Sequence, residues 1–212
     1  MVSRWSDWDA RGAGSARRQL LDSSIELVAR KDPQRVTAQM IAANVGISRS
    51  EFEFHFSDGD ECLQAAFEDI CDRFDCHLLP IYLDGRPWRE RMRAATYAAA
   101  RYCLEHEDEV LFVLATRAQY GGLERVESSL HLHLAQVDSL RLDLEEGSDL
   151  PLSAAELTVG SFLEVVAGLG AQKRLQDLPR QVPGLLYNLF RMYLGAVAAE
   201  EELALATAVA SR

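Results

Sequence analysis

The pattern of hydrophobic and polar positions is helical along nearly the whole chain. Apolar residues recur at three- and four-residue spacing in long windows, and no window shows the sustained alternation of a strand. The pattern therefore predicts an all-α protein. The polar, glycine-containing residues 1–14 are predicted to form a flexible tail. A first helix fits residues 15–30, with an inner stripe of Leu20, Leu21, Ser24, Ile25 and Val28.

Signals for helix ends predict the following elements. Thr37 suits the N-cap of a second helix, which ends at Gly46 because glycine accepts the left-handed conformation. A short third helix over 48–55 has Ser48 as its cap. Residues 57–60 resemble a capping box that opens a fourth helix reaching residue 79. After a break over 80–87, further helices bring the total to about nine: 88–106, 108–119, 123–145, 153–173 (with a capping box at 153–156) and 180–205.

The stretch RVTAQMIAANVGISRSEFEFHF (35–56) has the layout of a helix-turn-helix. Ile41, Val45, Ile47 and Phe52 are expected to face inward, and Gly46 makes the turn. Such a unit can project its second helix into the major groove of DNA, with the early residues of that helix at base edges. Two helices joined by a glycine turn are also common in helical proteins, so this layout alone leaves DNA binding and ordinary packing both open.

A longer segment, VTAQMIAANVGISRSEFEFHFSDGDECLQAAF, carries a family resemblance. Residues 17–67 resemble the amino-terminal domain of TetR-family transcriptional regulators, with matches beyond the helix-turn-helix at His55-Phe56, Asp58, Glu61-Cys62 and Ala65-Ala66. The resemblance implies a three-helix DNA-binding domain over 15–58 and a larger helical effector-binding and dimerisation domain over 59–212. It further implies a homodimeric repressor that binds a palindromic operator in double-stranded DNA and is released by an unknown small-molecule effector.

The resemblance also implies DNA-contact roles for eight residues. Thr37 and Gln39 would meet phosphates at the start of the second helix, where the helix dipole is positive. Arg49 would be the best direct reader, because a guanidinium can address the O6/N7 edge of guanine with two hydrogen bonds. The full implied set is Arg17, Arg18, Thr37, Gln39, Ser48, Arg49, Ser50 and His55.

The chain departs from the family pattern near this surface. Glu51 and Glu53 stand where the family often has threonine and an aromatic residue, the aromatic follows one place later as Phe54, and Gly59 replaces a usual basic residue. Carboxylates near the groove and a lost phosphate contact weaken DNA affinity. A glutamate can instead accept from cytosine N4 and encode specificity. A DNA-binding regulator therefore has one alternative, a helical small-molecule binding protein on the same scaffold with weakened or lost DNA binding.

Dimerisation and effector binding are expected beyond the helix-turn-helix. One such unit makes too few contacts for specificity, so a dimer is expected. By resemblance the last two long helices supply the interface, and part of this set is expected to be intramolecular core: Leu157, Gly160, Glu164, Leu186, Leu189, Phe190 and Tyr193. The middle helices are expected to enclose an effector cavity, with core packing as the alternative for each lining candidate: Trp88, Met92, Tyr97, Arg101, Phe112, Arg117, Tyr120 and Phe162. An effector is expected to move the fourth helix.

Composition and charge narrow the remaining function classes. The 212 residues are 48% hydrophobic and 26% charged, as in ordinary globular proteins. The net charge of −11 argues against coating nucleic acid by bulk charge, although residues 1–60 are nearly neutral. No apolar run approaches the roughly 20 residues of a membrane-spanning helix, and the amino terminus lacks a secretory pattern. A cytoplasmic protein with reduced thiols and no membrane partner is therefore expected.

No metal, cofactor or enzymatic activity is expected. Cys71, Cys76, His77 and the pair His131 and His133 lack the paired spacing of zinc sites. The chain has no phosphate-binding loop, nucleophile elbow or convincing catalytic pair. A helical enzyme or an interaction module without a regulatory role is the more distant alternative.

Overall fold

The computed structural model describes residues 6–143, 150–151 and 153–210, and these ranges are helical without a strand. The all-α fold predicted from the sequence is confirmed. A 3-10 turn at Pro33–Arg35 precedes the second helix, and others at Ser139–Asp143 and Leu175–Asp177 lie between later helices. The described ranges contain ten α-helices: α1 (Ser6–Arg30), α2 (Ala38–Val45), α3 (Arg49–His55), α4 (Gly59–Tyr82), α5 (Trp88–Glu105), α6 (Glu107–Tyr120), α7 (Glu124–Asp138), α8 (Ala154–Ala171), α9 (Leu178–Leu194) and α10 (Ala196–Ala210).

Several helix boundaries differ from the predicted ones. α1 begins at Ser6, so residues 6–14 of the predicted tail are helical, and residues 1–5 of that tail lie outside the described residues. α4 continues through Pro80, because a proline close to the end of a helix disturbs few of its hydrogen bonds. The helix predicted over 180–205 is two helices, since Gly195 adopts a φ of +85° and ends α9. Ser153 makes no capping hydrogen bond, so the predicted capping box at α8 is wrong.

The chain forms two compact units. The first contains residues 1–71 and 108–123, and the second contains residues 72–107 and 124–212. α6 therefore belongs to the same unit as the helix-turn-helix, and α4 contributes residues to both units. The division between the two units lies within α4.

The core of the first unit explains how α3 is held. Leu20 of α1, Ile41 of α2 and Phe52 of α3 have no exposed surface. The predicted inner stripe of α1 is confirmed, because all five of its residues are buried. Val45 and Ile47 are only half-buried. Phe52 thus anchors one side of α3 and leaves its other side in solvent.

The start of α4 lies against the start of α2. A Cβ on Gly59 would lie 2.9 Å from the backbone nitrogen of Ala38 and 3.3 Å from the carbonyl carbon of Thr37. Asp58 caps the helix, because its Oδ1 accepts from the Glu61 backbone N–H at 2.9 Å. The predicted capping box is therefore formed only in part: Asp58 is the cap, and the Glu61 carboxylate accepts from the backbone N–H of Ser57 at 2.6 Å instead of from that of Asp58. Glycine is the residue type that permits this close approach of two backbones.

In the second unit, α5 and α9 share an aromatic core. The indole Nε1 of Trp88 donates to the Val137 carbonyl at 3.1 Å. The indole ring packs against Phe190 and Tyr193, with centroid distances of 5.9 and 5.1 Å. The hydrogen bond satisfies the polar atom of a buried tryptophan, so this side chain can be placed fully inside. The bulky face of α9 is therefore turned towards α5.

Ion pairs fasten α10 to α5. Glu202 is only 2% exposed, and both of its carboxylate oxygens accept from the guanidinium of Arg93. Arg89 donates to Glu201 at 2.9 Å and to the carbonyl of Ala198 at 2.8 Å. A buried carboxylate is stable only when it is paired in this way. The helix that follows the break at Gly195 is thus fixed to the body of the second unit.

A second buried carboxylate, Asp75 of α4, binds α7. Its Oδ1 accepts from Ser129 at 2.6 Å, and its Oδ2 accepts from Arg125 at 2.7 Å. Nε2 of His133 lies 3.1 Å from Oδ1, and the Tyr82 hydroxyl lies 3.2 Å from the other ring nitrogen. These partners all lie in the second unit. The network joins α4 to α7 through residues about fifty positions apart.

α8 is unusually apolar for a helix with so much exposed surface. Its 18 residues have a mean hydropathy of 1.4, and 28% of them are buried. By length and composition alone this helix could cross a membrane. The sequence pattern did not predict such a helix. Leu157 and Leu163 are 53% and 47% exposed.

We expect Gly59→Ala to destabilise the protein. The added methyl group would meet backbone atoms of α2, which cannot rotate away as a side chain can, and such overpacking costs about 1–3 kcal/mol. The measurement is the midpoint of urea unfolding. Gly85→Ala is the control, because a Cβ there would meet nothing within 4 Å. Equal midpoints for Gly59→Ala and the wild type would contradict the close approach.

We expect His133 to make the protein less stable in mild acid. Burial lowers the pKa of His133 below its ordinary value of 6.5, although Asp75 acts in the opposite direction. As pH falls below about 6.5, the unfolded chain gains a proton that the folded chain does not, so the free energy of unfolding falls. Urea unfolding at pH 7.5 and 5.5 should show a smaller difference for His133→Gln than for the wild type. The exposed His131, changed to Gln, is the control, and an unchanged difference in His133→Gln would refute the assignment.

Candidate functional site

The α2–turn–α3 unit has the capping geometry that its sequence predicts. Thr37 Oγ1 accepts from the Met40 backbone N–H at 3.3 Å, which caps α2. Gly46 adopts a φ of +82°, and the chain turns there. Ser48 Oγ accepts from the Glu51 backbone N–H at 3.2 Å, which caps α3. The three local signals found in the sequence are therefore confirmed as structure.

The outward side of α3 is the candidate contact surface. Phe52 is buried and His55 is half-buried, whereas the side chains between and before them are exposed. Exposed polar groups near a helix start have the placement needed to reach base edges in a major groove. We call these residues the recognition face: Ser48, Arg49, Ser50, Glu51, Glu53 and Phe54.

Arg49 is the one cation of the recognition face. Its side chain is 77% exposed, and its Nε donates to Glu53 Oε1 at 2.7 Å. Ser48 and Ser50 are exposed, with their hydroxyl oxygens 3.2 Å apart. The carboxylate of Glu51 has no ion pair among the residues that the structure describes. The face thus presents an internally paired arginine beside a second, unpaired acid.

The remaining candidates for DNA contact lie in different environments. The guanidinium of Arg17 lies over the ring of Phe56, 5.1 Å from its centroid. Arg18 is bound at 2.9 Å to both Asp22 and Asp69, so a phosphate would have to compete with two carboxylates. Gln39 is exposed at the start of α2. A cation held over a ring keeps its donors available, which makes Arg17 the better phosphate candidate of the two arginines.

Two features of this surface were not predicted as site elements. Phe54 is 79% exposed, and its ring lies edge-on to the His55 ring at a centroid distance of 5.3 Å. The sequence signal for Phe54 was that the aromatic residue of the family pattern stands one place later than usual in this chain. The close contact at Gly59 gives a physical reason for the missing basic residue at the start of α4. A long side chain there would collide with the backbone of α2.

The residues predicted to line an effector cavity fall in both units. In the first unit, Phe112 and Tyr120 pack against Phe67 at centroid distances of 6.5 and 6.1 Å, and the Tyr120 hydroxyl donates to Asp60 at 2.6 Å. Arg117 is exposed on the same helix. These contacts account for the burial of the two aromatic residues as core.

The other five lining candidates belong to the second unit. Trp88 and Met92 are buried, and Trp88 is committed to the aromatic core described above. Tyr97 is 40% exposed, Arg101 pairs with Glu105 at 3.8 Å on the surface of α5, and Phe162 is half-buried. These environments differ too much for the five residues to be treated as one lining.

A cluster of aromatic and histidine rings lies in the second unit. The rings of Phe74, Tyr102, His106 and His133 form a series with neighbouring centroids 4.2–5.3 Å apart. His77 packs against Tyr102 at 5.2 Å, and its Nε2 is buried without a hydrogen-bond partner among the described residues. Buried polar atoms are normally satisfied, so an unsatisfied ring nitrogen marks a place where a ligand or water group can bind.

The predicted dimer residues divide between the two helices. On α8, Leu157 and Glu164 are exposed, and a Cβ on Gly160 would meet nothing within 4 Å. On α9 the four candidates are at most 6% exposed within their own chain, which favours the alternative of intramolecular core for them: Leu186, Leu189, Phe190 and Tyr193. The bulky face of α9 packs on α5, and its outward side carries Gln181, Gly184, Asn188 and Arg191.

Two of the four thiols, Cys62 and Cys103, are buried. Burial raises the pKa of Cys62 and of Cys103 to about 12, so both stay protonated at neutral pH. Sγ of Cys62 donates to the Leu20 carbonyl at 3.8 Å, as a packed core residue. Within the described ranges, no group of three His, Cys, Asp or Glu side chains is placed to hold a metal ion.

No protein-family model and no curated protein matches the sequence. Solved structures do match the fold. The fatty acid degradation regulator FadR from Bacillus halodurans is 15% identical, with a TM-score of 0.70 over 82% of this chain and 93% of that chain. SmeT, the repressor of the Stenotrophomonas maltophilia multidrug efflux pump SmeDEF, is 24% identical, with a TM-score of 0.68 over 84% and 89%.

A TetR family transcription regulator from Marinobacter aquaeolei is 17% identical, with a TM-score of 0.70 over 86% of this chain and 97% of that chain. These three proteins are regulators rather than enzymes by their names. Each likeness extends over most of both chains. The chain therefore has the fold of the TetR-family transcription regulators.

Proposed function

We propose that this chain is a ligand-responsive transcriptional regulator that binds DNA through α3. The observation that carries the proposal is the recognition face, an exposed helix side with Arg49 and two serines at its start, within the fold of TetR-family regulators. Burial of Phe52 holds that face outward, and the caps at both ends of the turn fix its direction. The same fold supports a regulatory function rather than an enzymatic one.

In this proposal Arg49 reads a base edge, and the neighbouring residues set the position of the helix. Ser48 and Ser50 approach the groove beside Arg49, whereas Thr37, Gln39, His55, Arg17 and Arg18 provide phosphate or positioning contacts. Phosphate contacts fix the register of a protein on the duplex, and base contacts supply the sequence preference. The few cations near the recognition face favour modest affinity with a weak dependence on salt.

A homodimer would bring two recognition faces to the half-sites of a palindromic operator, one helical turn apart. We propose that the outward side of α8 forms the centre of the interface. Leu157, Ser161, Glu164 and Gly168 are exposed at alternating spacings of four and three residues, so they share one side of the helix. The small residues allow close helix approach, and Leu157 supplies apolar area.

We propose that a small-molecule effector binds in the second unit, near the ring series and Asp75. His77 offers a ring nitrogen there that has no hydrogen-bond partner among the described residues, and the surrounding rings offer apolar area. The predicted residues of that unit, Trp88, Met92, Tyr97, Arg101 and Phe162, remain secondary candidates, as do Phe112, Arg117 and Tyr120 of the first unit. A few polar groups among aromatic side chains are typical of small-molecule sites.

α4 is the proposed link between effector and DNA. It is one continuous helix, with residues 59–71 in the first unit and 72–82 in the second. Asp75 binds it to α7, and Gly59 lies against the start of α2. An effector that moves Asp75 would therefore displace a helix that also contacts the helix-turn-helix. A coupling of about 1–3 kcal/mol gives a 5- to 150-fold change in affinity, which is sufficient for release from DNA as a repressor.

We expect the protein to select a palindromic sequence from random duplex DNA. Selection at low and at physiological salt should enrich two half-sites about one helical turn apart. Arg49→Ala should reduce the preference at one base pair of each half-site by about 1–3 kcal/mol, because a bidentate arginine contact is lost. Lys31→Ala, a basic residue outside the recognition face, is the control. Enrichment of no sequence at either salt concentration would favour the small-molecule binding protein that lacks DNA affinity.

We expect Leu157→Glu to weaken the dimer. Each protomer would place a charge in an apolar contact, and the loss of two buried leucines should raise the dimer dissociation constant at least about tenfold. Sedimentation equilibrium over a concentration series measures this constant. Leu130→Glu, at another exposed leucine of the second unit, is the control. If Leu130→Glu weakened the dimer and Leu157→Glu did not, the interface would lie on α7 rather than α8.

A further inference from the structure

The Arg49–Glu53 ion pair has a directional feature that the proposed function does not use. Glu53 Oε1 accepts from Nε of Arg49 at 2.7 Å, and no described residue binds the two terminal nitrogens Nη1 and Nη2. The pair lies on one side of α3, because the residues are four positions apart. The guanidinium is thus held at Nε, whereas Nη1 and Nη2 remain accessible.

This arrangement matches the donor pattern needed for guanine. A guanidinium is planar and has five N–H donors, so a carboxylate on Nε leaves the paired donors of Nη1 and Nη2 facing away. Guanine offers the two acceptors O6 and N7 side by side in the major groove. We propose that Glu53 is a positioning residue that orients Arg49 to read guanine, and so determines specificity. The inference rests on the proposed function.

The position of the pair argues against a role in helix stability. Arg49 is the first residue of α3 and Glu53 lies in its last turn, so each charge is at the end of the helix that its dipole disfavours. The order of arginine before glutamate is also the weaker of the two orders on a helix. An exposed pair of this kind adds little to folding. The contact is better explained by what it does to the arginine.

Orientation matters because arginine has many rotamers. Docking on a base restricts them, and a side chain already restricted in the free protein loses less freedom on binding. The pair also balances the Glu53 charge, so this carboxylate does not face the phosphates alone. It further commits Oε1 to Arg49 rather than to a cytosine amine. Glu51 lies two residues before Glu53 and has no ion pair among the described residues. It therefore offers the same charge without this contact.

The test compares Glu53→Gln with Glu51→Gln. Each removes one negative charge from the recognition face, so each should raise affinity for unrelated duplex DNA by a similar small factor. The probe is the duplex that the wild type selects, with guanine or adenine at the base pair that depends on Arg49. Fluorescence anisotropy gives both dissociation constants at one salt concentration, and their ratio is the guanine preference.

We expect Glu53→Gln to reduce the guanine preference at least about threefold, a change within the range of an exposed ion pair and smaller than the loss of a bidentate base contact. Glu51→Gln should keep the guanine preference at the base pair that depends on Arg49, because only Glu53 contacts Arg49, and any effect of Glu51→Gln on specificity should fall at other base pairs. In an Arg49→Ala background, Glu53→Gln should cause no further loss, since the two residues act as one unit. Circular dichroism checks that each variant keeps its helices.

The inference is overturned if Glu53→Gln keeps the wild-type preference, if both glutamine variants lose it equally, or if the Arg49-dependent position is not guanine. These results would leave the proposed DNA binding intact. If the wild type selects no sequence at all, the proposed function fails, and the positioning role fails with it. The two failures are therefore distinguished by the selection experiment on the unaltered protein.

Discussion

α3 has only seven residues, and a helix this short is not stable in water without tertiary contacts. It depends on one buried side chain, Phe52, and on the Ser48 cap that satisfies a backbone N–H at its start. Phe52 packs in the core formed by α1 and α2, with Leu20 and Ile41 equally buried. The direction of the recognition face is thus determined by the core of the first unit, and the proposed DNA contact depends on that anchoring.

The sequence predicted this region well because its signals are local. A cap at Thr37, a left-handed turn at Gly46 and a cap at Ser48 are each defined within a few residues, and all three are present. The sequence could not decide between a dimer interface and intramolecular core for the α9 residues, because that choice depends on distant contacts. Periodicity identifies the apolar side of a helix but does not tell whether that side meets the same chain or a second copy. Trp88, about a hundred residues earlier, occupies the side of α9 expected for a partner.

The structural features missed from the sequence depend on distant neighbours. In the sequence, Asp75 is indistinguishable from other acidic residues of an amphipathic helix. Its role depends on Ser129, Arg125 and His133 of α7, which lie next to it only in the folded chain. From the sequence alone, Gly59 indicates a lost phosphate contact. In the structure, the backbone of Ala38 lies close beside it. The same residue then has a packing reason, so its departure from the family pattern is weak evidence for decayed DNA binding.

Charge sets the final constraint on a DNA-binding interpretation. The chain carries a net charge of −11, and its recognition face has one arginine against two glutamates. Such a surface gains little from general attraction to phosphates, so discrimination between bases must supply a larger part of any specific affinity. Discrimination requires fixed geometry more than charge. An arginine already held by a carboxylate at Nε fits that requirement, because the acid that reduces the net attraction also restricts the donor that we propose reads the base.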